Sequence, residues 1–188
     1  MTLKVCKLRG QALPLDSLKY FKPGFMSLSI THPLYSTCGS SPYQVSKAAV
    51  QARYLSGRAR VEALTGHWDI SNKDGFCLLC KTIKPTLGTL EHLLLSGGCP
   101  ALVDARLTML SFFQAYMVSR PYLLPLLQAC WDVDTNLTMQ FLLDCSTIPL
   151  LIKMTQDSQH PVIKDIFYMT RTYVYKIHLT RRRLLETS

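Results

Sequence analysis

Cys77-Leu-Leu-Cys80, Glu91-His92 and Gly97-Gly98-Cys99-Pro100 bring three thiols and an imidazole into a short span of chain. Thiolates and neutral imidazole are the donors of structural zinc sites, so Cys77, Cys80, His92 and Cys99 form a complete candidate Cys3His ligand set. A Cys-x-x-Cys pair puts two sulfurs on one tight turn, and a histidine and a cysteine from a second segment can close the tetrahedron. On one unbroken helix His92 and Cys99 would lie ~10.5 Å apart along the axis. Bonds of ~2.0 to 2.3 Å keep any two ligand atoms of one zinc within ~4.6 Å, so the helix carrying His92 must stop before Cys99. Gly97 and Gly98 are expected to stop it by supplying a left-handed residue, and Pro100 fits the first turn of the next helix. The competing expectation is that these cysteines are ordinary buried thiols and His92 a surface residue, because the His-to-Cys interval exceeds the usual ~3 to 5 residues. His67, in Thr65-Gly66-His67-Trp68, packs against Trp68, orients a ligand, or replaces His92 as the fourth donor.

The rest of the chain offers little chemistry. Asp132-Val133-Asp134 comes closest to the paired carboxylates of a two-metal site and reads instead as a turn and helix cap. There is no Gly-x-x-x-x-Gly-Lys phosphate loop, no Gly-x-Ser-x-Gly elbow and no His-Glu-x-x-His. Cys130 or Cys145 with His160 or His178 is the one thiol-enzyme arrangement, and both cysteines lie on apolar helix faces where structural thiols are expected. The expectation is therefore a non-enzyme without a small-molecule substrate.

Charge points to a polyanionic partner. Of 188 residues, 48% are hydrophobic, enough for a globular core, yet Lys and Arg outnumber Asp and Glu by 21 to 12, a net charge of +9. The basic residues gather at Arg53, Arg58 and Arg60 and again at Arg171, Lys176, His178, Arg181, Arg182 and Arg183. Tyr168 and Tyr175 share a helical line with Arg171, whereas Tyr173 falls on the apolar side. That mixture suits RNA or single-stranded DNA, where bases stack on rings and cations follow phosphates. Seven cysteines, an odd number, and no signal-like apolar start lead to the expectation of a reducing intracellular setting, cytoplasm or nucleus. The apolar region from Leu107 to Trp131 is not a membrane span, because Arg120, Pro121 and Pro125 interrupt it before the ~18 residues a bilayer requires.

The elements that must position these groups are helical, and the fold class is mainly α. Residues 1–40, with scattered Pro and Gly, are expected to be an extended arm, and 41–188 a helical domain. Ser41 and Pro42 open a helix with Val45, Ala48, Ala49, Ala52 and Leu55 on its buried side, ended by Gly57. Arg58 to Trp68 follows as a short helix, with Val61, Leu64 and Trp68 on one side, leading to a zinc knuckle over 75–100. Pro100 opens a helix whose stripe is Val103, Leu107, Leu110, Phe113 and Met117. Further helices are expected over Pro121 to Trp131, Asp134 to Cys145, and 161–185. In the last of these, Val162, Ile166, Tyr173, Ile177 and Leu184 are buried and the arginines face outward.

Taken together, Ser40-Ser41-Pro42-Tyr43, Gln51-Ala52-Arg53-Tyr54-Leu55-Ser56-Gly57-Arg58, His67-Trp68, Gly75-Phe76-Cys77, Thr89-Leu90-Glu91-His92-Leu93-Leu94 and Cys99-Pro100-Ala101-Leu102 form a familiar series. With Phe141-Leu142-Leu143-Asp144-Cys145 and Phe167-Tyr168-Met169-Thr170-Arg171-Thr172-Tyr173, it resembles the C-terminal region of non-LTR (LINE-type) retrotransposon polyproteins, which encode an endonuclease and a reverse transcriptase. The resemblance runs from about Lys19 onward. It implies a Cys/His knuckle, with Cys77, Cys80, His92 and Cys99 as ligands, that helps hold template nucleic acid. The sequence departs from that pattern in a tighter first cysteine pair and in the Gly97-Gly98 insertion. It carries none of the polymerase or nuclease motifs, so the resemblance implies a tail without catalysis. Two rival expectations stand beside this: a zinc-free helical interaction module docking a partner through Tyr116 to Trp131, and a thiol-dependent enzyme.

Overall fold

The computed structural model describes residues 32–56, 59, 74–80, 82, 85–131, 134–155 and 160–187. Its helices are α1 (Pro33–Ser36), α2 (Pro42–Leu55), α3 (Leu90–Leu94), α4 (Val103–Val118), α5 (Leu124–Cys130), α6 (Thr135–Asp144), α7 (Ile152–Thr155) and α8 (Pro161–Thr187). Short 3-10 turns precede α4 at Pro100–Leu102 and α5 at Pro121–Leu123, and a third, Cys145–Thr147, follows α6. The fold is mainly helical, as expected. Among the described residues the only strand-like pairing is an antiparallel bridge between Phe76 and Leu87.

Proline sits in the opening turn of α1, α2, α8 and two of the 3-10 turns, where its missing N–H costs nothing and its fixed φ is already helical. Asp134 caps α6 by accepting from the Leu137 N–H at 2.9 Å, the role its sequence position indicates. Ser41 occupies the cap position of α2 but makes no side-chain capping bond.

Helix α8 is the spine. Its 27 residues run about 40 Å, and α2, α4 and α6 pack along it. Ile163, Ile166, Phe167, Tyr173, Val174 and Ile177 are fully buried there, joined by Phe113, Leu142 and Leu143. The buried stripes differ from expectation at their edges. Val45, Val103 and Leu107 are exposed, while Lys47, Gln51 and Arg106 turn inward. Gln51 shows why. Its Nε2 donates to the carbonyls of Leu142 (2.6 Å) and Leu143 (3.3 Å) at the end of α6 and to Thr170 Oγ1 (3.2 Å). A buried amide is stable when it satisfies carbonyls that the helix end leaves open.

Two further expectations are corrected. The arm expected over 1–40 falls outside the described residues up to position 31, and from His32 the chain is folded. Leu34 is buried, and His32 Nε2 lies 3.1 Å from Asp144 Oδ2. The arginines of α8 do not all face outward. Arg171 is only 1% exposed. Its guanidinium donates to Leu34 O (3.0 Å), Thr37 Oγ1 (2.9 Å) and Thr37 O (3.3 Å), which fastens α1 to the spine. Of the short helix expected over Arg58 to Trp68, all but Ala59 lies outside the described residues.

One stretch, Thr135–Met154, is long and apolar enough to cross a bilayer by length and composition. It is broken by the 3-10 turn at Cys145–Thr147 and mostly buried within the fold, as a core segment is.

Replacing Arg171 with Leu strands three acceptors in the interior. The expected outcome is a loss of about 2 to 4 kcal/mol of stability, read from the urea midpoint at unchanged slope. A variant that unfolds at the wild-type midpoint would contradict this role.

Candidate metal centre

The first ligand segment is a tight loop. Gly75 takes a left-handed φ of +66° that a side chain would resist, and its carbonyl accepts from the Gly88 N–H at 2.9 Å. Beside it, the Cys77 N–H donates to Thr86 O at 2.8 Å, and the Cys80 N–H turns back to Cys77 O at 3.3 Å. Those bonds aim both sulfurs inward, and Cys77 and Cys80 have no solvent exposure.

The second segment is α3 and the turn after it. Thr89 caps the helix, its hydroxyl accepting from the His92 N–H at 3.1 Å, which fixes the backbone that carries the imidazole. The helix then stops at Leu94, as metal geometry requires, though not by the expected left-handed glycine. Leu95 goes extended, and neither Gly97 nor Gly98 has a positive φ. Gly98 is needed for a steric reason instead. A Cβ there would lie 2.0 Å from the His92 carbonyl oxygen, whereas one on Gly97 would meet nothing within 4 Å. That approach lets the Cys99 N–H donate to His92 O at 2.6 Å, folding Cys99 back over the histidine.

The carbonyls at the end of α3 are all taken. Glu91 O accepts from Leu95 N–H and His92 O from Cys99 N–H. Leu93 O accepts from Arg106 Nη1 at 3.2 Å and Leu94 O from the Tyr173 hydroxyl at 2.5 Å. Arg106 also donates through Nη2 to Cys99 O at 2.5 Å. One buried guanidinium from α4 thus holds both halves of the turn. Among the described residues Arg106 has no carboxylate partner.

The result is convergence. The donor atoms of Cys77, Cys80, His92 and Cys99 all lie within 4.8 Å of one another, close enough to hold a single metal ion. Two sulfurs ~2.3 Å from a tetrahedral ion sit ~3.8 Å apart, and Cys77 and Cys99 Sγ are separated by 3.8 Å. Cys80 Sγ lies 3.3 Å from His92 Nε2. The sulfur spacing is far beyond a disulfide bond of ~2.05 Å, and the six described cysteines are free. With no ion to compensate it, crowding of this kind disfavours thiolate. The Cys99 thiol is held far above its ordinary value, first by its hydrogen bond with Cys77 and then by burial. A bound cation reverses that preference.

Beside the centre lies a cleft of about 430 Å³ lined by Glu91, His92, Gly97, Gly98, Asp134 and Thr138 among others. Its two carboxylates make it a poor place for a phosphate.

The expected nucleic-acid contacts divide. Arg53, Lys176, Arg182 and Arg183 are exposed, with Arg182 Nε paired to Glu186 at 2.7 Å. Arg181 is 9% exposed, and Arg171, contrary to expectation, is interior and out of reach of a nucleic-acid strand. Arg58, Arg60 and His67 lie outside the described residues. Tyr173 is core, as expected, and Tyr168 stacks on Tyr116 at 5.3 Å, which occupies one face of its ring. Cys130 and Cys145 are buried, and burial pushes both thiols up, away from the thiolate a nucleophile needs. Arg106 was invisible in the sequence, since an arginine amid an amphipathic helix gives no sign that it satisfies carbonyls on another element.

The two glycines give a matched test. Gly98→Ala is expected to cost about 2 to 4 kcal/mol and to open the centre, while Gly97→Ala stays within about 1 kcal/mol of wild type. Equal thermal midpoints for the two variants would contradict the turn described. No protein-family model, curated protein or solved structure matches this chain.

Proposed function

We propose that the chain is a zinc-stabilised helical module that binds RNA or single-stranded DNA nonspecifically through its basic faces, without catalysis of its own. The observation that carries the metal half is the closed set of four converging donors. Three sulfurs and one imidazole suit zinc rather than magnesium or calcium, and a full protein ligand set leaves no open position for substrate, as at structural sites. Charge agrees with this. A divalent ion with three thiolates and a neutral imidazole carries a net charge of −1, and buried Arg106 supplies the opposite charge beside Cys99.

The nucleic-acid half is supported by the net charge of +9 and by the exposed Arg53, Lys176, Arg182 and Arg183. Contacts of that kind bind phosphate, not base sequence. Origin in the tail of a non-LTR retrotransposon polyprotein is part of the same proposal. Its support is the series of resembling segments, three of which, Gly75-Phe76-Cys77, Thr89–Leu94 and Cys99–Leu102, contain candidate ligands.

A second function has one observation in its favour. Val118, Tyr122 and Leu124 are exposed together between α4 and α5, which suits a helical module docking a protein partner without zinc.

Metal analysis of the purified chain is expected to find about one zinc per molecule, and Cys80→Ser to lose both the metal and the fold around it, since structural zinc supplies ~10 kcal/mol or more. Arg106→Met should weaken zinc binding by ~10- to 100-fold, as loss of outer-shell partners does. Affinity for single-stranded RNA should fall by ~0.7 log units per log unit of salt for each phosphate contacted. A metal-free protein, or binding that ignores salt, would overturn the corresponding half.

A further inference from the structure

The candidate metal centre also places two thiols face to face. Cys77 and Cys99 Sγ lie 3.8 Å apart, although 22 positions separate the residues in sequence. Each residue is fixed within its own segment, the Cys77 N–H donating to Thr86 O at 2.8 Å and the Cys99 N–H to His92 O at 2.6 Å. Cys80 Sγ rests against the imidazole, 3.3 Å from His92 Nε2. All three cysteines are free and fully buried. The facing pair thus links the two ligand segments to each other, unlike the two cysteines of the Cys-x-x-Cys turn.

Sulfurs at this spacing have two alternatives. A cation holds them apart as thiolates, or loss of two electrons joins them at ~2.05 Å. The approach needed is short, and rotation about χ1 of the two cysteines supplies it. The alternatives exclude each other, because a disulfide has no thiolate to offer a metal. Burial controls access. A small oxidant meets the sulfurs when α3 and the turn after it open locally, as a helix of five residues does readily. The crosslinked turn can dock again, since Arg106 holds the carbonyls of Leu93 and Cys99, and Tyr173 that of Leu94, through bonds that use no ligand atom.

We propose that Cys77 and Cys99 are a redox-active pair that hydrogen peroxide oxidises to a disulfide, and that this crosslink expels the ion from the centre. The expulsion rests on the metal reading above, whereas the crosslink needs only the two sulfurs. First, the sulfur of one cysteine attacks a peroxide oxygen, the O–O bond breaks, and hydroxide leaves and is protonated to water, giving a sulfenic acid. The sulfur of the other cysteine then displaces the sulfenic hydroxyl, the S–S bond forms, and a second hydroxide leaves and is protonated. Each sulfur gives up one electron, and the peroxide is reduced to two waters. The two protons come from the thiols of a metal-free chain or from solvent in a loaded one. Cys80 and His92 remain as two donors, short of the four that a structural site uses.

The test uses the full chain as purified, with its zinc content measured first, and a stoichiometric amount of hydrogen peroxide. Remaining thiols are alkylated and crosslinks are located by peptide mass spectrometry. The folded chain is expected to give the bond between Cys77 and Cys99 as its main product. Zinc should be released in step with it, and dithiothreitol with added zinc should reverse both. In guanidinium the order should invert, the bond between Cys77 and Cys80 exceeding it by roughly 10-fold, because the shorter loop closes more readily in an unfolded chain. A folded chain that joins mainly Cys77 to Cys80 would overturn the inference. Zinc release without the Cys77 to Cys99 bond would also overturn it and leave the metal reading standing. That bond in a chain that never loads zinc upholds the redox pair and removes the metal reading.

Discussion

The structure depends on how α3 ends. A helix of five residues, Leu90–Leu94, cannot hold itself together, and its last four carbonyls have no partners within it. Here each is met from outside or from the turn: Leu95 N–H, Cys99 N–H, Arg106 and the Tyr173 hydroxyl. The two backbone donors bend the chain so that Cys99 returns to His92, and the two side chains dock that bend on α4 and α8. The candidate metal centre is therefore continuous with the hydrophobic core. Tyr173 is packed by Phe113 and Trp131 at 5.7 and 5.6 Å between ring centres, so the hydroxyl that closes α3 is held by the same contacts that join α4 to α8.

Positive charge is handled in two ways. Lys47, Arg106 and Arg171 lie in the interior, each 3% exposed or less. Their positive ends rest on neutral oxygens and rings. Lys47 Nζ donates to Thr172 Oγ1 at 3.0 Å and lies 4.4 Å from the Tyr43 ring centre, and burial followed by Arg171 lowers its proton affinity. These cations stabilise the fold by satisfying acceptors and are not available to a strand of nucleic acid. Among the described residues, the exposed cations include Lys176, Arg182 and Arg183 on α8 and Arg53 on α2.

Local chemistry was legible in the sequence. Cys77, Cys80, His92 and Cys99 stand out because ligand type, a Cys-x-x-Cys turn and a required helix stop are all short-range signals, and the mainly helical character follows from apolar spacing and Pro-opened turns. The interior polar residues were not legible. Whether Gln51 or Arg171 is buried depends on which carbonyls other elements leave open, and those partners are 91 and 137 residues away. The same cause shifts the expected stripes on α2 and α4. A pattern of apolar residues selects Val45 and Leu107, whereas the fold turns Lys47 and Arg106 inward because their ends find acceptors there. The place of Gly98 is legible in the sequence but its role is not, since close backbone approach, unlike handedness, depends on the turn it completes.

The central claim is that Cys77, Cys80, His92 and Cys99 jointly hold one zinc ion. X-ray absorption at the zinc edge of the loaded full chain measures that coordination directly. The account predicts three sulfur neighbours at ~2.3 Å and one nitrogen at ~2.0 to 2.1 Å. A shell dominated by oxygen, or zinc that cannot be loaded in stoichiometric amount, would contradict it.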